Sequence, residues 1–325
     1  MEQVVEDNLE ELISRNLVLV GERSFDGKVL RELCPREAEK EKFLYVIPRG
    51  GQADLLLLEL DLKLLRVLDI YFLHFDNFPI QLLEMVHLRY VALNVTYELP
   101  QSMSELRNLQ TILIRGPLES PLLSLEYWRM PSLRHLHSSV VCYLKNPTIG
   151  RKDLAQTFTP EYLQSLSTIS FSSCTREILV IMPQLKMLGI YETEKDYIRG
   201  VSAECLANLH LLCKMETLKC SFYRETRKLG PRWDLKEMAF RCLKSLLIES
   251  TDLVHWEATN TDNFPRLECL VLRSCKSLKK IPYGVGELPT LSLIELHYCS
   301  KSAEVSAKEF EEQVEDLRVV TRSDV

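Results

Sequence analysis

The chain has 325 residues, 46% of them hydrophobic and 26% charged, ten cysteines and a formal net charge of −6. An acidic balance argues against a basic nucleic-acid surface, and the scattered cysteines contain no C-x-x-C pair and no zinc-ligand spacing. The most apolar run, Leu55 to Leu65, carries Glu59, Asp61 and Lys63, too short and too charged to span a bilayer, so stable membrane insertion is not expected.

The N-terminus has no basic start followed by an apolar run, so it does not read as a signal peptide. Glu2 stands where myristoylation needs glycine. Both features predict a cytoplasmic protein with reduced thiols. Val4, Val5, Leu9, Leu12 and Ile13 are spaced as one face of a helix. Leu17 to Val20 reads as a strand, Asp26-Gly27 as a turn, and Lys28 to Leu30 as a returning strand. Helix, strand, turn and strand together fit either the end of a winged helix or a cap shielding the apolar segments downstream. Pro35 breaks the chain, Arg36 to Lys42 reads as a charged helix, Phe43 to Ile47 as a strand, and Pro48 to Gly51 as a turn or linker.

From Leu65 onward a motif recurs. Leu267-Glu268-Cys269-Leu270-Val271-Leu272 is echoed by Leu291-Ser292-Leu293-Ile294-Glu295-Leu296 and by Leu243-Lys244-Ser245-Leu246-Leu247-Ile248. Ten such units begin at Leu65, Leu88, Leu109, Leu133, Leu166, Leu185, Met215, Leu243, Leu267 and Leu291. A repeat of about 20–29 residues with this L-x-x-L-x-L core is a leucine-rich repeat. The expected fold is α/β: a solenoid of about ten irregular repeats with a parallel concave sheet and a small N-terminal winged-helix-like remnant. Residues 1–47 form the remnant and linker, and 48–325 the repeats. The loops Gly150 to Pro160 and Tyr223 to Trp233 are candidate protrusions.

Within each unit the first, fourth and sixth residues point inward and the odd ones between them outward. Cys174, Cys275 and Cys299 fall eight residues after the first leucine of their units, where a small side chain tucks under a turn. The outward set is the candidate partner-binding concave face: Asp69, Tyr71, Tyr90, Asn94, Arg115, His135, His137, Tyr191, Lys219, Glu249, Arg273, Glu295 and His297. Aromatic and arginine side chains there are the types that anchor protein interfaces. His135 and His137 put two imidazoles on one strand face, but no carboxylate or cysteine completes a metal or acid–base set in that repeat. No G-x-S-x-G occurs. Binding is expected rather than catalysis, with neither metal nor catalytic residues.

Asn8 to Val18 resembles the winged-helix segment of plant coiled-coil nucleotide-binding leucine-rich-repeat (NLR) resistance proteins of the late blight type. Arg36 to Ile47 resembles their linker, Leu65 to Asp69 their first clear repeat, and Phe264 to Leu270 with Cys299 to Ala303, Glu312 and Gln313 their C-terminal end. The resemblance covers nearly the whole chain. It implies a surface that recognises a pathogen effector or a guarded host protein, or that holds a nucleotide-binding domain inactive in cis or in trans. It also implies ADP or ATP binding for a full-length member. This sequence, however, has no G-x-x-x-x-G-K-[ST], and no His-Asp pair follows Val29, so no cofactor is expected. The chain reads as a truncated receptor. The alternatives are a substrate adaptor for a ubiquitin ligase, or a non-signalling decoy or damaged gene product.

Overall fold

The computed structural model describes residues 20–23, 29–32, 43–45, 64–75, 78–95, 99–116, 122–123, 130–139, 141–144, 160–198, 208–222, 232–234, 240–258 and 261–322. The helices expected over Val4 to Ile13 and Arg36 to Lys42, and both protruding loops at 150–159 and 223–231, lie outside the described residues. The chain divides into two compact units, Met1–Pro117 with Met130–Leu133, and Leu118–Arg129 with Arg134–Val325.

In the first unit, β1 (Val20–Arg23) and β2 (Val29–Glu32) pair antiparallel, and residues 17–19 of the strand read at Leu17 to Val20 lie outside the described residues. Then β3 (Phe43–Tyr45), β4 (Val67–Phe75), β5 (Tyr90–Val95) and β6 (Thr111–Arg115) stack in parallel in chain order. The repeat sheet thus begins at Phe43, inside the segment assigned from sequence to the linker. Alternation makes these strands: Leu68, Ile70, Val91, Leu93, Ile112 and Ile114 point into the core, while Asp69 and Leu113 between them are only half-buried. Between strands, short 3-10 turns start after Pro79 and Pro100 and bury Leu82 and Met103 beneath the sheet. Asn108 donates its side-chain amide to the Val86 carbonyl one repeat earlier, at 2.9 Å.

In the second unit, β7 (Leu122–Leu123) and β9 (Tyr143–Leu144) pair in parallel, as do β13 (Arg232–Asp234) and β15 (His255–Glu257). The main sheet runs, in order, β8 (His135–Ser138), β10 (Ser165–Ser170), β11 (Met187–Tyr191), β12 (Thr217–Ser221), β14 (Ser245–Glu249), β16 (Cys269–Arg273), β17 (Leu293–His297) and β18 (Arg318–Arg322). β18 extends the sheet by a strand that the leucine pattern does not contain. Among the helices are α1 (Arg176–Leu179), α2 (Glu194–Ile198), α3 (Tyr283–Gly286) and α4 (Lys301–Gln313). No helix of the described residues is long and apolar enough to cross a membrane.

The pairing corrects one repeat. Leu166 aligns with Leu188, the fourth residue of its unit, so this unit begins at Leu163 rather than Leu166. Between Leu166 and Ile169 stand Ser167 and Thr168, opposite the single Gly189. This is a bulge, and Thr168 takes a left-handed backbone, φ 59°. Its tightness explains the glycine across from it: a β-carbon on Gly189 would sit 3.0 Å from the Thr168 nitrogen and 3.3 Å from the Ser167 Cα.

The last repeats turn in a uniform way. Ser250, Ser274 and Tyr298, each directly after its strand, have φ of 59°, 53° and 56°. Each donates its N–H to the neighbouring repeat: Ser250 to Arg273 at 2.8 Å, Ser274 to His297 at 2.8 Å, Tyr298 to Arg322 at 2.7 Å. These bonds offset the strain of a left-handed non-glycine residue. Next come Thr251, Cys275 and Cys299. The Cys275 thiol donates to the Ile248 carbonyl at 3.7 Å and the Cys299 thiol to the Leu272 carbonyl at 3.4 Å, each reaching into the preceding repeat. The cysteines at this position therefore act as turn residues. α4 closes the array. Ser300 caps it by accepting the Ala303 N–H at 3.1 Å, and Ala303, Ala307 and Phe310 bury its inner side.

Candidate partner-binding face

Parallel register lines up the outward residues of the second unit into rows. One row contains Lys219, Leu247, Val271, Glu295 and Val320, and the row before it in each strand contains Thr217, Ser245, Cys269, Leu293 and Arg318. Leu247 and Val271 are ladder neighbours, as are Cys269 and Leu293. All four are only half-buried. They make a continuous apolar patch at the centre of β14, β16 and β17.

Charge borders that patch on both sides. At the C-terminal ends of the strands, Glu249, Arg273, His297 and Arg322 follow one another across the ladder. Lys219 lies 3.9 Å from Glu249, which also accepts the Ser221 hydroxyl at 3.2 Å, and the His297 ring nitrogen lies 3.1 Å from Glu295. At the N-terminal ends, Glu216 lies between Lys186 at 3.4 Å and Lys244 at 3.6 Å. Exposed pairs of this kind contribute little stability, about 0–1 kcal/mol each. An apolar centre inside a charged rim is the anatomy of a protein interface.

Of the sequence candidates, Lys219, Glu249, Arg273, Glu295 and His297 come together around this patch. Tyr191 is half-buried on β11, beside Ser170 and Ser221 in the ladder. In the first unit, Asp69 and Tyr90 are half-buried, and Asn94 lies beside the exposed Arg115. An irregularity in β4 pairs Asn94 with His74, where an unbroken register would have placed Tyr71. The side chain of Tyr71 lies outside the described residues. Leu247 and Leu293 escape a sequence search for polar and aromatic outward residues, because such a search passes over aliphatic ones. Their odd positions in L-x-x-L-x-L are the available signal.

His137 is a correction. The alternation of its strand places it on the open face, but only 6% of it is exposed. Beyond β8 the chain keeps running parallel beside β10: the Ser138 N–H donates to Ser167 Oγ at 3.1 Å and the Cys142 N–H to the Thr168 carbonyl at 2.8 Å. His137 is held against β10, its Nε2 2.9 Å from Ser165 Oγ, while His135 Nδ1 lies 2.7 Å from the same hydroxyl. Burial and the neighbouring His135 push the His137 pKa down to about 4, and burial, then Arg134, lowers that of His135. Both rings are therefore neutral at pH 7. Ser165 is 4% exposed, which closes this trio to a substrate. Among the described residues no group of three or more His, Cys, Asp or Glu could hold a metal ion.

A second polar centre is structural. Asp196, 1% exposed, accepts from the Ser170 hydroxyl at 2.7 Å and from the Thr193 N–H at 3.0 Å, while its own N–H donates to Thr193 Oγ1 at 3.1 Å. The reciprocal Thr193–Asp196 bonds form a capping box that starts α2.

No family model matches the chain. It is similar to a putative late blight resistance protein homolog of Solanum demissum, 27% identical over 424 aligned positions, covering 97% of this chain and 54% of that protein. It is also similar to a late blight resistance protein of the same plant, 27% identical over 98% of this chain and 33% of that one. A putative disease resistance RPP13-like protein of Arabidopsis thaliana is 30% identical over 80% of this chain and 31% of that one. The chain thus spans about half the length of the first of these relatives and about a third of the others. Among solved structures it is similar to a plant peptide hormone receptor in complex with its peptide, at 14% identity, 80% of this chain, 40% of that one and a TM-score of 0.48. An internalin of Listeria monocytogenes gives 14% identity, 82% and 76% coverage and a TM-score of 0.46.

Proposed function

We propose that this chain, a leucine-rich-repeat homologue of the plant late blight resistance proteins along nearly its whole length, is a protein-recognition module of plant innate immunity and not an enzyme. The observation that carries the reading is the apolar patch of Leu247, Val271, Cys269 and Leu293 set between charged rows. Adjacent aliphatic side chains on the open face of a repeat sheet offer a partner apolar surface to bury, and contiguous apolar patches mark interaction sites. The partner is a protein: a pathogen effector, a guarded host protein, or the nucleotide-binding domain of a receptor of this family, which the module would hold inactive. The alternating signs of Glu249, Arg273 and Glu295 favour a partner with its own mixed charges over a uniformly acidic or basic one.

The test supplies the coiled-coil and nucleotide-binding segments of a late blight resistance protein in trans and measures co-precipitation with the folded chain. Association that Val271→Glu abolishes supports the reading. Absence of association with folding confirmed by circular dichroism removes the autoinhibitory role, and association indifferent to Val271→Glu removes the face.

A further inference from the structure

The turns after β16 and β17 bring two thiols together. Cys275 and Cys299 occupy equivalent places in consecutive repeats. Their backbones are tied: the Ser274 N–H donates to the His297 carbonyl at 2.8 Å, and the Ser300 N–H to the Cys275 carbonyl at 3.2 Å. The parallel stacking that pairs Arg273 with His297 therefore continues through the turn. Neighbouring strands lie about 4.8 Å apart, inside the Cα separation of roughly 4.4–6.8 Å that a disulfide spans. Each thiol is the largest influence on the acidity of the other.

They are not equivalent in access. Cys275 is 1% exposed, whereas Cys299 is half-buried and opens toward solvent. The neighbouring Cys275 thiol holds the Cys299 thiol below the usual cysteine range, while Cys299, with burial, raises Cys275. An accessible sulfur poised toward thiolate beside a buried thiol is the arrangement of an attacking and a resolving cysteine.

We propose that Cys275 and Cys299 form an oxidant-responsive dithiol that closes to a disulfide with hydrogen peroxide as the oxidant. The Cys299 thiolate attacks one peroxide oxygen, the O–O bond breaks, and hydroxide leaves, giving a sulfenic acid on Cys299. The Cys275 sulfur then attacks the Cys299 sulfur. The S–S bond forms, and the Cys275 proton departs with the sulfenic hydroxyl as water. In sum two thiols lose two electrons and peroxide becomes two waters. Closing the bond forfeits the thiol donations to the Ile248 and Leu272 carbonyls, which favours reopening by a small reducing thiol. The site is independent of the partner-binding reading, since it lies in the turns beyond the strands that carry the patch.

The experiment treats the full chain with graded hydrogen peroxide under native conditions, blocks the remaining thiols, digests with trypsin and analyses by mass. The expected product is a disulfide linking the peptide 274–276 to the peptide 281–301, formed at lower peroxide than oxidation of the exposed Cys213. Cys275→Ser must lose the linked peptide and leave a Cys299 sulfenic acid that dimedone traps. Oxidation of Cys213 with no linked peptide in the native chain overturns the proposal, whatever the variant does.

Discussion

Acidification tests the buried histidine pair most sharply. His137 titrates near 4 in the folded chain, against 6.5 for an unperturbed histidine. A histidine with a depressed folded pKa takes up its proton more readily when unfolded. Its contribution to stability is therefore full above about pH 6.5 and is lost as pH falls from there toward 4. Linkage with those two values puts the loss between pH 7 and pH 5 at about 2 kcal/mol from this residue alone. The lowered pKa of His135 adds in the same direction. The perturbation is His137→Gln, which keeps a polar side chain near Ser165 but cannot titrate. Urea unfolding of both proteins at pH 7 and pH 5 gives two differences. The wild-type stability should fall by about 2 kcal/mol more than that of the variant. Exposed carboxylates contribute equally to both proteins and cancel. If the two proteins lose the same stability, His137 is not buried as a neutral ring against Ser165 of β10.

Adjacent residues of β16 separate scaffold from surface. Leu270→Ala removes a fully buried side chain and should cost about 2–5 kcal/mol in urea unfolding, whereas Val271→Ala, half-open on the face, should cost under about 1 kcal/mol and weaken partner binding instead. Gly189→Ala pushes a methyl against the Thr168 and Ser167 backbone, and thermal unfolding should show a loss of about 1–3 kcal/mol; an unchanged melt would remove the bulge in β10. Ser300→Ala deletes the cap of α4, with an expected loss of about 1 kcal/mol read in urea unfolding.

Much of this architecture is written in the leucines. Buried positions one, four and six of each unit recur as Leu267, Leu270 and Leu272 or Leu291, Ile294 and Leu296, and a strand with one buried face has no other register. Cys275 and Cys299 are legible for the same reason: an offset of eight residues from Leu267 and Leu291 puts them under the same turn, whereas Cys174 falls eleven residues after Leu163 once its unit is in register. What sequence does not settle depends on neighbours. Leu163 and Leu166 both fit the first-leucine pattern, and only pairing with Leu188 chooses between them. His137 sits at an outward position of its own strand, but Ser165 of the neighbouring β10 and the chain that runs on parallel beside it hold it buried, a fact no single repeat contains. At the face, aliphatic Leu247 and Leu293 are hidden among the many aliphatic residues of the core. Their exposure follows only once the ladder is in register.

The central claim is that the patch on β14, β16 and β17 is where a protein docks. Its most direct test is the affinity of the late blight receptor's upstream segments for three forms of the chain: unaltered, Val271→Glu, and Lys308→Glu on α4, whose side chain is exposed. A charge set into the apolar centre should weaken binding by about tenfold or more, about 1.4 kcal/mol, while Lys308→Glu leaves it unchanged. Equal affinity for all three folded forms would contradict the claim.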